Sequence, residues 1–141
     1  MADAVLECPS CRLPLPDGLD FNLFVVSAYV LSACFTYGYV YTLTRSIFAS
    51  AGAGIVFSMS GFMLAHLGHT SMIHAAAWLP LMIWALEKLR ADFSWRWFGI
   101  AGLAVAMSIL AGHPQILVYS LLLAGFYVLF RGKAQGKFCY W

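Results

Sequence analysis

Charge is what this chain has least of. Of its 141 residues, 10% are Asp, Glu, Lys or Arg, whereas a soluble domain carries about a quarter. With 62% hydrophobic residues and a mean hydropathy of +0.82, such a chain exposes more apolar surface than water tolerates, which excludes an ordinary soluble domain. The net charge is only +2, which says nothing about nucleic acid, and nucleic acid is not among the expected partners. Residues 1–20 do not look like a secretory leader either. Asp3, Glu7 and Asp17 precede any apolar block, where a signal peptide has a basic end followed by an apolar run. Nor do the apolar runs alternate as the strands of a membrane barrel do.

What the chain has instead is length in those runs. A helix crossing a bilayer needs roughly 20 apolar residues at about 1.5 Å each. Four segments meet that standard: about Phe21–Thr44, Ile47–Leu64, Trp97–Ala111 and Pro114–Phe130. A marginal fifth lies between His69 and Lys88, beginning near Met72, and Pro80 can kink it without breaking it. The expected fold is all-α: a polytopic integral membrane bundle of about five helices, with membrane lipids as partners. Residues 1–20 form an extramembrane leader, 21–131 the spanning region and 132–141 a cytoplasmic tail. Ser46, Ser50, Gly54 and Ser58 recur every four positions, and Ala104, Ser108 and Gly112 repeat the device. Small residues at that spacing let helices approach closely in lipid.

Basic residues set the orientation. With five spans and the N-terminus outside, Arg45, Lys88, Arg90, Arg96, Arg131, Lys133 and Lys137 are all cytoplasmic and only Arg12 is outside, as the positive-inside rule requires. All four histidines then share the outer face. A four-span alternative, in which 72–87 lies along the interface and the N-terminus is inside, satisfies the rule equally. It puts His66, His69 and His74 opposite His113.

The histidines are the chemically distinctive residues. His66, His69 and His74, with His113 as a fourth, have the ligand number of a metal site, but the spacing matches no zinc pattern and the loop holds no acid. Contact with lipid phosphate, and plain suitability for a half-wet interface, are the other readings. In Gly112-His113-Pro114-Gln115, Gly suits a helix C-terminus and Pro the next helix's first turn. That leaves His113 and Gln115 to meet an anion at a helix start. Trp78, Trp84, Trp95, Trp97 and Trp141 suit interfacial anchoring, and Trp78, just past the histidine loop, also suits stacking on a sugar. Cys8-Pro-Ser-Cys11 is a single pair, whereas a zinc site normally has two.

Residues 57–89, FSMSGFMLAHLGHTSMIHAAAWLPLMIWALEKL, followed by LAGHPQ at 110–115, resemble the bacterial YfhO-like family of multi-spanning membrane proteins, over roughly residues 20–131. The resemblance implies a GT-C type glycosyltransferase of the bacterial cytoplasmic membrane. Such enzymes move a sugar from a polyprenyl-phosphate donor to a cell-envelope acceptor outside the membrane. It implies donor or phosphate contact by His66, His69, His74, Trp78, His113 and Gln115, and no metal. The family's acidic catalytic site lies in a first large outer loop, which Asp17 and Asp20 do not match. No catalytic residue is therefore expected here, and the chain is expected to be an inactive fragment lacking that loop; the cofactor is left open. The competing expectation is a small non-catalytic membrane protein binding metal or haem through its histidines.

Overall fold

The computed structural model describes residues 19–135, so Cys8, Cys11, Cys139, Trp141 and most of the leader and tail lie outside the described residues. Seven helices, and no strand among the described residues, build the chain: α1 Leu19–Thr44, α2 Ile47–Ser58, α3 Gly61–Ala65, α4 Thr70–Ala77, α5 Leu79–Ala91, α6 Trp95–Leu110 and α7 Pro114–Gln135. The all-α expectation holds. Among the described residues, three stretches are long and apolar enough to cross a membrane: Asn22–Thr44, Ile47–Ala65 and Pro114–Arg131.

The other two expected segments are shorter or broken. Helix α6 has 16 residues, about 24 Å of rise, because Gly112 turns the chain at φ 81° and Pro114 opens α7. The 72–87 stretch is two helices meeting at Trp78, with Pro80 in the first turn of α5, where its missing N–H costs no intrahelical bond. Just before the break, the Ala75 carbonyl accepts a hydrogen bond from Ser108 Oγ of α6 at 3.5 Å. The 47–64 run also breaks, at Met59–Ser60 between α2 and α3.

Contacts fix the direction of each pass. At one end, Tyr29 of α1 donates to the Met63 carbonyl of α3, and Phe24 stacks on His74 of α4. Ile116 of α7 packs on the cluster of Ala28, Met63, Ile73, Ala76 and Ala77. At the other end, Trp84 of α5 donates to Thr42 of α1 and meets Trp97 of α6, and Tyr39 of α1 meets Tyr127 of α7. Helices α1, α4–α5 and α7 therefore run one way, and α2–α3 and α6 run back. The result is five segments packed with alternating direction.

The broken α4–α5 pass is the best-buried part of the bundle. Ile73, Ala75, Ala77 and Ala85 are fully enclosed, and Leu81 and Met82 nearly so. Small residues make the close approaches. Ser50, Gly54 and Ser58 are buried, and a Cβ on Gly54 would come 2.8 Å from the Ala33 carbonyl oxygen of α1. Ala104 and Ser108 are likewise buried, but Gly112, expected as the third member of their seam, caps the helix instead.

Among the described residues, all six buried polar side chains are Ser or Thr, and each hydroxyl donates to a main-chain carbonyl three or four residues earlier. They are Ser32, Thr36, Ser50, Ser58, Ser108 and Ser120. This back-bonding satisfies the hydroxyl where no water reaches. The exterior is the reverse: Phe48 is 90% exposed, Leu110 77% and Val56 72%.

Candidate functional site

The histidines come to one end of the bundle, but not to one point. His66 closes α3 and His69 precedes α4, so they flank the same short turn. His74 lies one turn into α4. His113 stands just before α7, its carbonyl accepting from the Leu117 N–H at 3.3 Å. Among the described residues, no three His, Cys, Asp or Glu side chains are grouped so as to hold a metal ion.

Two of the rings are half committed. His66 Nδ1 lies 2.9 Å from the Phe62 carbonyl oxygen, and His74 Nε2 lies 2.9 Å from that of Phe24. A carbonyl only accepts, so each of those nitrogens carries the proton. The second nitrogen of a neutral ring is then an acceptor, and contact with an anion through it requires the doubly protonated ring. His69 is exposed, and His113 is partly so. Gln115 Nε2 donates to Tyr119 Oη on its own helix at 3.2 Å, which turns that expected contact residue along α7.

His74 and Trp78 share an apolar cleft of about 280 Å³ with Phe24, Ser27 and Leu31 of α1 and Met107, Leu110 and Ala111 of α6. The Phe24 ring lies on the His74 imidazole, centroids 3.8 Å apart at 24°. Trp78 leans on Phe35, 5.5 Å away. Because the chain breaks at Trp78, a full-sized ring reaches the cleft from the junction of α4 and α5. This is an apolar groove with an imidazole in its wall, and it lies two residues from His113.

The opposite end holds a polar group that sequence reasoning missed. Tyr39 Oη donates to Tyr127 Oη at 3.1 Å, Tyr127 Oη donates to Glu87 Oε2 at 2.8 Å, and the Arg131 guanidinium reaches Glu87 Oε1 at 3.4 Å. The carboxylate is largely buried, and α1, α5 and α7 meet on it. Tyr127 and Arg131 are four residues apart and so share a helix face; that spacing was the available signal. Beside them Lys88 stands 5.9 Å over the Trp97 ring.

Among acids with described side chains, Glu87 and Asp92 both lie at this end, away from the histidines. No known protein family, curated protein or solved structure matches the chain.

Proposed function

We propose that the chain is a five-pass protein of a bacterial cytoplasmic membrane, with its histidine end outside, that holds a polyprenyl-phosphate or its sugar conjugate without transferring the sugar. The observation that carries this reading is the cleft at the histidine end. An apolar groove about 280 Å³ in volume, walled by His74 and Trp78, offers an isoprenoid chain a bed and its phosphate an imidazole. Embedding in lipid is supported by the inverted surface, alanine and serine inside with leucine and phenylalanine outside, which small-residue packing in a bilayer produces.

Sugar transfer of the GT-C kind needs an acceptor-activating group. The carboxylates of Glu87 and Asp92 sit at the far end, which is why holding rather than transfer is the proposed role. A histidine–metal role is not favoured, because the four rings do not converge.

Purified protein, incubated with a polyprenyl-phosphate carrying a photoreactive group in its chain, tests the reading. Crosslinks should fall on the cleft wall of α1, α4 and α6, and Trp78→Ala should reduce them. Crosslinks spread along the whole lipid-facing surface, unchanged in that variant, would refute it.

A further inference from the structure

Arg131 has more donors than partners. A guanidinium fork offers five N–H groups, and among the described residues it makes one hydrogen bond, the 3.4 Å contact to Glu87. At that length the pair is loose for a charge-assisted bond, and the Arg131 side chain is 46% exposed. Its open side faces a shallow apolar depression of about 430 Å³ lined by Leu123, Phe126, Tyr127 and Phe130. These residues recur every three or four positions, so they form one stripe of α7 that ends at the guanidinium. Phe130 is 71% exposed and Phe126 56%, which leaves the stripe uncovered by protein.

The geometry points to a binding site for an anionic phospholipid on α7, its phosphate on Arg131 and one acyl chain along Leu123, Phe126 and Phe130. Charge complementarity selects this occupant: a cation with spare donors stands at the end of an aliphatic and aromatic groove, at the end of the bundle where Lys88 also lies. A planar fork matches phosphate oxygens in pairs. Glu87 is the internal competitor, since it occupies the guanidinium when no phosphate does. The site is distinct from the cleft at the histidine end, and the inference rests on the membrane reading above.

The full chain in nanodiscs of phosphatidylglycerol and phosphatidylcholine with matched acyl chains tests it, with retained lipid read by native mass spectrometry. Phosphatidylglycerol should be retained about fivefold over phosphatidylcholine, the ratio that corresponds to about 1 kcal/mol per basic residue at an anionic surface. Arg131→Gln should abolish the preference, and Arg131→Lys should keep part of it. Glu87→Gln should raise it, because removal of the competitor frees the fork. If Arg131 and Glu87 only hold helices together, Arg131→Gln and Glu87→Gln shift retention in the same direction, and the proposal fails. Displacement of the lipid by inorganic phosphate would make this a free-anion site and overturn it too. A chain that does not enter nanodiscs contradicts the membrane reading itself, whereas entry without lipid preference contradicts this site alone.

Discussion

Gly54→Ala is the smallest change that tests how the bundle is held. The added Cβ would lie 2.8 Å from the Ala33 carbonyl oxygen, with the Ala33 carbonyl carbon at 3.6 Å and its Cα at 3.7 Å. All three are main-chain atoms of α1, so no side chain can swing aside, and α1 and α2 must part by several tenths of an ångström. Overpacking of this kind costs about 1–3 kcal/mol. Gly52→Ala is the matched control: same helix, same substitution, and nothing within 4 Å of the new Cβ. Unfolding of both variants in mixed micelles, by titration with a denaturing detergent and followed by tryptophan fluorescence, should show Gly54→Ala less stable by that amount. Gly52→Ala should sit close to the parent. Equal stabilities would mean that the Ser50–Gly54–Ser58 face does not press on α1 and that the packing argument is wrong.

Other consequences are as direct. Gly54→Leu should destabilise the bundle more than Leu103→Ala, since Leu103 is half exposed, and thermal melts in detergent compare them. Trp84→Phe removes the 2.9 Å indole bond to Thr42 and should cost about 1 kcal/mol in the same unfolding assay; no change would mean the bond is not made. Binding of a polyprenyl-phosphate should fall when His69 and His113 are both changed to Ala. Unchanged binding in that double variant would remove both residues from phosphate contact. No sugar transfer should be seen with a polyprenyl-phosphate sugar, and measurable turnover would show that a catalytic group lies elsewhere in the chain.

Much of the fold was legible because burial in this protein follows side-chain size. The seam at Ser50, Gly54 and Ser58 was readable from four-residue spacing alone, and so were the roles of Gly112 and Pro114 at the α6–α7 turn. The central place of α4–α5 was not. Its length and single proline made it look marginal, because a hydropathy count does not register that Ala75, Ala76, Ala77 and Ala85 suit the middle of a bundle better than larger residues. The histidines were legible as a group but not in their commitments. His66 and His74 each give a proton to a main-chain carbonyl, and a carbonyl 50 residues away, as for His74 and Phe24, leaves no trace in spacing. Nothing in the local sequence singles out Glu87. Only the three-helix meeting of Tyr39, Tyr127 and Arg131 shows it as an interior carboxylate.

The proposed orientation of the bundle in a membrane is tested most directly by thiol labelling. In a chain with Cys8, Cys11, Cys34 and Cys139 replaced, a cysteine is placed at Thr70, beside the histidines, or at Asp92, at the other end of α5. Intact cells are then treated with a membrane-impermeant thiol reagent. The Thr70 cysteine should label from outside, and the Asp92 cysteine only after permeabilisation. Labelling of neither before permeabilisation would contradict the five-pass orientation, as would the reverse pattern, and with it the claim that the cleft of His74 and Trp78 opens on the outer side of the membrane.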